Sequence, residues 1–148
     1  MAWGIKNVQV LDGGLKAWTF DTDTGDNLGS DETPFELVFD SDQVCTYEQL
    51  GQYQGQICDG RPAADYEKGH IDSAKSLENL LLLTPDFKYK SKDQIRQVFA
   101  ERGVDCALPV VCYCKTSMRG SVLHLAALEA GMQSRLYDGA YTEYIQRK

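Results

Sequence analysis

Apolar positions along this chain fall in short blocks, and the blocks are of two kinds. The first kind is a run of four or five residues bounded by breakers: residues 35–39, Gln56–Asp59, residues 74–77, Val110–Tyr113 and Ser134–Tyr137. Runs this short, bounded by turn residues, read as strands. The second kind has helical spacing. Thr46 caps a short helix from Tyr47, with Gln49 three residues on. A helical turn runs through residues 63–68, and Gly69 and His70 end it. Ser91 caps a longer helix with Gln94 three later; Ile95, Val98 and Phe99 form its buried stripe and Gly103 ends it. Residues 122–130 place Val122, Leu125, Ala126 and Glu129 on one face and Leu123, Ala127 and Ala130 on the next, the breadth of a largely buried helix that Gly131 closes. Residues 80–83 are ambiguous between helix and coil. Strands alternating with helices predict an α/β domain: a three-layer arrangement, with a mostly parallel sheet, Val110–Tyr113 its central strand, and helices on both faces. Ligands of such sheets bind beyond the carboxyl ends of the strands. The loops after Asp59 and after Tyr113 should meet there.

The first eighteen residues repeat the plan of the chain's end. Val8 to Trp18 reads as a short strand, a glycine turn and a helix start, and Arg135 to Tyr144 reads the same way. Asp12 and Gly13 match Asp138 and Gly139, and Trp18 matches Tyr144. A repeated terminal element predicts that residues 1–18 are the end of an upstream unit; coincidence around a common Asp-Gly turn is the alternative. Residues 19–34 are acidic, small and aperiodic, and read as a linker; the domain proper is 35–148. A calcium loop starting at Asp21 fails, because its sixth place holds Asp26 rather than glycine.

Composition narrows the function. The net charge is −7, which argues against nucleic acid as the main partner. No apolar run approaches the ~20 residues that cross a membrane. No secretory signal is visible, and a cytoplasmic location is expected, or a mitochondrial one if the natural chain is longer. Cys45, Cys58, Cys106, Cys112 and Cys114 are odd in number and irregular in spacing, with no CxxC pair, so neither a zinc site nor a disulfide framework is expected. No cofactor is expected either. A bridge between Cys112 and Cys114 would be strained.

Candidate chemistry concentrates at Cys114. A strand, a cysteine, a tight polar loop and a helix start follow one another there. Loop N–H groups and the helix dipole can favour negative charge on the sulfur, and Lys115 and Arg119 add two cations. The thiolate is the nucleophilic form of cysteine. The alternative is a buried strand-end thiol beside an ordinary turn. His70 and His124 read as packing and hydrogen-bonding residues.

Four segments together resemble the rhodanese-like family of thiosulfate and 3-mercaptopyruvate sulfurtransferases. They are Asp59 to Pro62; Tyr66 to Ile71 with Ala74; the Cys114 loop; and Leu136 to Gly139. The resemblance covers residues 35–148 and implies the rhodanese fold, with residues 1–18 as the tail of a preceding rhodanese unit. Arg119 stands at C-x4-R, so the loop has six members, whereas the related cysteine phosphatases carry C-x5-R around a phosphate. The smaller cradle suits a sulfur anion and disfavours a phosphatase or arsenate reductase.

By this resemblance Cys114 takes a sulfane sulfur from a small anionic donor, thiosulfate or 3-mercaptopyruvate, and passes it from a persulfide to a thiol or cyanide acceptor. Arg61, Lys115, Thr116 and Arg119 are the implied substrate contacts, with Ser117, Met118 and Gly120 in the loop nest and Asp59 holding the Arg61 loop. Self-association through residues 1–18 is a further expectation. Thr116 matches neither the serine of mercaptopyruvate enzymes nor the lysine of thiosulfate enzymes. Ser117 replaces a usual glycine, residues 71–74 read Ile-Asp-Ser-Ala for Ile-Pro-Gly-Ala, and Tyr141 and Tyr144 stand where tryptophans are usual. A serine at positive φ costs roughly 1 kcal/mol or more. These departures keep open a second reading: a catalytically idle rhodanese-like module used for binding or regulation.

Overall fold

The computed structural model describes residues 8–25 and 38–148. Five parallel strands form one sheet: β1 (Val44–Cys45), β2 (Gln56–Asp59), β3 (Lys75–Ser76), β4 (Val110–Tyr113) and β5 (Ser134–Tyr137). Their order is β1-β5-β4-β2-β3, which puts β4 at the centre, as its sequence predicts. Cys112 of β4 lies opposite Cys58 of β2 and Leu136 of β5.

Alternate residues of β4 feed two cores, because successive strand side chains point to opposite faces. Val110 and Cys112 join Cys58, Leu77 and Leu82 under α3 (Lys92–Glu101) and α4 (Met118–Glu129). Val111 and Tyr113 join Cys45, Leu50, Ile57, Ile71 and Tyr137. That second core is covered by α1 (Tyr47–Gly51), α2 (Ala63–Glu67) and α5 (Ala140–Arg147). All four residues of β4 are buried, the signature of a strand covered on both faces. The three-layer architecture expected from the alternation is therefore present.

Helix starts follow local chemistry. Thr46 with Gln49 and Ser91 with Gln94 each form a full capping box, two backbone donors satisfied reciprocally. Helix α4 begins at Met118, four residues before its apolar pattern, because the Cys114 loop runs straight into it. The ambiguous residues 80–83 resolve into a 3-10 turn, Asn79–Leu82, that buries Leu82 and exposes Leu80.

Two expected strands differ. Residues 8–11 form none: no neighbouring strand edge pairs with them, and Val8, Val10 and Leu11 are exposed. Asp12 turns the segment by accepting from the Tyr89 N–H at 2.9 Å, and a single 3-10 turn, Gly14–Ala17, follows. The segment overlies a cavity of about 610 Å³ bordered by Tyr89, Ile95 and Leu125, which Cys114 does not line. Of the strand expected at 35–39, residues 35–37 lie outside the described residues, and Val38 and Phe39 are irregular and exposed. The edge position is taken instead by β1, whose Cys45 side chain is buried. Residues 19–25 are irregular, as expected of a linker, and 26–34 lie outside the described residues. No helix among the described residues is long and apolar enough to cross a membrane.

Candidate active site

At the centre of the carboxyl edge, β4 ends at Tyr113 and the chain turns through Cys114 into α4. Cys114 is 2% exposed. The loop after it is held by its carbonyls. The Cys114 carbonyl accepts from the Tyr141 N–H at 2.9 Å. The Lys115 carbonyl accepts from the Thr142 N–H at 3.3 Å and from Thr142 Oγ1 at 2.7 Å. The Ser117 carbonyl accepts from the Ser121 N–H at 2.8 Å. In a trans peptide the N–H points away from the preceding C=O. Carbonyls turned onto the first turn of α5 therefore turn the N–H groups of Lys115 and Thr116 the other way. Among the described residues, the main-chain N–H groups of residues 115–120 have no hydrogen-bond acceptor. Six consecutive free donors follow a thiol at the start of a twelve-residue helix, an arrangement that favours negative charge nearby.

Within the loop the side chains divide. Lys115, Thr116, Met118 and Arg119 are exposed. Lys115, Thr116 and Arg119 make no ion pair or side-chain hydrogen bond among the described residues, so their polar ends are available to an incoming anion. Ser117 is buried and has φ 63°, the left-handed region that the departure from glycine put at issue. Its Oγ donates toward the carbonyls of Tyr137 at 2.7 Å and Asp138 at 2.9 Å. Gly120 is fixed by packing. A Cβ there would lie 3.0 Å from the Tyr113 carbonyl carbon and 3.1 Å from Leu136 Cδ1. The helix can thus approach the strand only without a side chain at that position.

Arg61 reaches the same edge from the loop after β2, where the Gly60 N–H donates to the Tyr113 carbonyl at 2.8 Å. Its guanidinium is engaged on several sides. Nε donates to both Asp59 carboxylate oxygens, and Nη2 donates to Asp59 Oδ2 and to the Gly69 carbonyl, each at 2.6 Å. The Tyr141 ring stacks 4.0 Å from its centre. Nη1 has no partner among the described residues, yet every buried side-chain nitrogen and oxygen there is paired. Nη1 is therefore the atom that reaches the surface. Burial beside Asp59 pushes the Tyr113 hydroxyl well above the ordinary phenol range, and its oxygen accepts the Ile71 N–H at 3.1 Å.

The remaining thiols and imidazoles serve the core. Cys112 faces the other layer, and burial pushes its thiol up to about 12; its Sγ lies 3.7 Å from Ser134 Oγ. His124 Nδ1 shares Ser134 Oγ at 2.9 Å, and burial lowers its pKa. His70 stacks on Tyr66 with ring centroids 3.9 Å apart and its Nδ1 lies 3.0 Å from the Tyr66 carbonyl oxygen. Cys112 and Cys114 are both free thiols. No group of three or more His, Cys, Asp or Glu residues among the described residues is arranged to hold a metal ion.

Comparison with known proteins agrees with this layout. The profile of the family described as Rhodanese-like domain matches residues 43–147. The chain belongs to the rhodanese-like family. Thiosulfate sulfurtransferase of Gallus gallus is 30% identical over 99% of this chain and 56% of its own length. The 3-mercaptopyruvate sulfurtransferase of Escherichia coli (strain K12) is 29% identical over 98% of this chain and 58% of its own. The solved structure of SseA, a 3-mercaptopyruvate sulfotransferase from Escherichia coli, superposes with a TM-score of 0.83 at 26% identity, covering 96% of this chain and 59% of that one. The chain thus spans little more than half the length of the relatives it matches. Relatives named for thiosulfate and for 3-mercaptopyruvate lie at similar identity, so the likeness does not choose between the two donors.

Two features of this rhodanese-like site were missed from sequence. Tyr141 and Thr142 hold the Cys114 loop through the first turn of α5, a contact between segments 27 residues apart. The only advance signal was the Asp138-Gly139 turn that aims α5 at the loop. Gly120 read as one more nest residue, whereas the contact it permits is with the backbone of β4.

Proposed function

We propose that this chain carries the sulfur-transferring domain of a rhodanese-type sulfurtransferase, with Cys114 as the nucleophile. The Cys114 thiolate attacks the outer sulfur of thiosulfate. A new S–S bond forms, the old one breaks, and sulfite leaves with the electron pair. With 3-mercaptopyruvate the carbon–sulfur bond breaks instead, and the leaving enolate takes a proton to become pyruvate. A thiolate or cyanide acceptor then attacks the outer sulfur of the persulfide. Cys114 leaves as thiolate, and the product is a new persulfide or thiocyanate.

One observation carries the reading: the six unpaired N–H groups of residues 115–120 beside Cys114. Donors fixed before reaction stabilise negative charge without reorganising, first on Cys114 and then on the outer sulfur. Lys115, Thr116 and Arg119, exposed and unengaged, are the donor-facing groups, and Nη1 of Arg61 supplies one more N–H at the rim. Ser117, Met118 and Gly120 complete the nest. Residues 1–18 are read as the end of an upstream unit, consistent with relatives almost twice as long and with the exposed Leu15 and Trp18.

The test is to incubate the chain with thiosulfate or 3-mercaptopyruvate and follow the intact mass. The expected result is a gain of one sulfur on Cys114, released as thiocyanate by cyanide and absent in Cys114→Ser. Absence of any adduct with either donor would overturn the proposal in favour of the idle module.

A further inference from the structure

Ser117 has the backbone conformation of a glycine but is not idle there. Its φ of 63° is one that L-residues rarely adopt, and its side chain is buried against the end of β5. Its hydroxyl proton is shared between the carbonyls of Tyr137 and Asp138, at 2.7 and 2.9 Å. A few residues later, the first turn of α5 reaches back to the loop from the other side. Tyr141 N–H holds the Cys114 carbonyl, and Thr142 holds the Lys115 carbonyl with both its N–H and its Oγ1. Three loop residues are thereby fastened to the single segment 137–142. Ala140 within that segment is itself at φ 58°. Strained backbone persists where surrounding bonds over-determine it, and here each of the two segments joined by those bonds carries one such residue.

We propose that Ser117 and Thr142 are positioning residues: their hydroxyls clamp the Cys114 loop to the β5–α5 segment and keep its N–H groups unpaired and in place before any substrate arrives. This rests on the reading of Cys114 as the sulfur-carrying nucleophile. The clamp offers what a glycine at position 117 cannot. Glycine would relieve the strain at φ 63°, but it has no donor for the Tyr137 and Asp138 carbonyls.

The experiment compares Ser117→Ala, Ser117→Gly, Thr142→Val and Thr142→Ser in the full chain, with thermal unfolding as the check that each folds. The first readout is the rate of Cys114 alkylation by iodoacetamide at neutral pH, mapped by mass against the other four cysteines. The second is the kcat and KM of thiocyanate formation. Loss of one such bond should slow alkylation and kcat by about tenfold in both Ser117 variants, with KM within about twofold. Thr142→Val should lose several-fold, and Thr142→Ser should recover the wild-type rate. If Ser117→Ala fails to fold, Ser117→Gly still decides. A Ser117→Gly variant as fast as wild type in alkylation would overturn the clamp, leaving only the backbone angle as the requirement. If the alkylation pattern holds while wild type forms no persulfide, the clamp stands and the sulfur-transfer reading falls. If persulfide forms and the variants alkylate like wild type, the clamp falls alone.

Discussion

Replacing Asp59 with asparagine tests whether charge, as well as packing, holds Arg61 at the site. Asp59 is fully buried and Arg61 is 5% exposed. The pair is bidentate: Nε lies 3.0 Å from Oδ1, Nη2 lies 2.6 Å from Oδ2, and the Arg61 main-chain N–H adds a bond of 2.9 Å to Oδ1. Asparagine keeps the shape and one acceptor, but turns an NH2 toward a guanidinium that has only donors. The cation is left buried with one amide oxygen, the Gly69 carbonyl and the Tyr141 ring as its remaining partners, and no negative charge beside it. Removing one member of a buried pair costs about 3 kcal/mol or more. For a chain of 148 residues the whole folding stability is roughly 7–22 kcal/mol, so the loss is easily measured. The double variant Asp59→Asn/Arg61→Met should recover part of it, because no uncompensated charge remains. Urea unfolding followed by circular dichroism measures both. A loss below about 1 kcal/mol in Asp59→Asn, or a double variant weaker than the single one, would refute this account of the pair.

Three other changes have expected outcomes. Ser73 is exposed, has φ 65° and makes no side-chain hydrogen bond among the described residues. Ser73→Gly should therefore raise stability by about 1 kcal/mol, or about 3 °C in Tm by differential scanning calorimetry, and an unchanged or lower Tm would count against the strain. Gly120→Ala forces a Cβ to within 3.0 Å of the Tyr113 backbone. It should cost about 2 kcal/mol and slow Cys114 alkylation, and a full-rate, full-stability variant would show that α4 can retreat. Burial lowers the pKa of His124 in the folded chain, so the unfolded chain binds that proton more readily. Its contribution is present above the ordinary histidine pKa of about 6.5 and is lost as pH falls below it. Urea midpoints at pH 7 and pH 5 should converge in His124→Gln, and an identical acid slope in the variant would exclude His124 as its source.

The parts of this fold that could be read in advance are those decided by neighbours in sequence. The capping boxes at Thr46 and Ser91 lie within four residues, and the buried runs of β2, β4 and β5 carry their own signal. The segment 8–11 shows the limit of the same logic. Its alternation satisfies the strand period, but a strand needs an edge to pair with, and the edge next to β5 belongs to β1, two residues whose shortness hid them. The candidate site divides the same way. Cys114, its cations and the six-member loop are contiguous, so they were legible together. Arg61 could be placed at the right edge of the sheet, but not the inward aim of most of its donors, which depends on Asp59 and Gly69 at once.

Ser117 carries that division to a single residue. Sequence exposes the cost of a serine where φ is positive, because that cost is local. The compensating bonds go to carbonyls 20 and 21 residues away, and only the packing of β5 against α4 brings them within reach. A departure from glycine that reads as a defect along the chain thus becomes, in three dimensions, a second attachment for the loop. Whether a substitution weakens an anion nest depends on which carbonyls stand opposite it, and these stand at the entry to α5. The same helix that holds Cys114 and Lys115 by their carbonyls is approached by the Ser117 hydroxyl. The Cys114 loop is therefore attached to the β5–α5 junction through Cys114, Lys115 and Ser117 together.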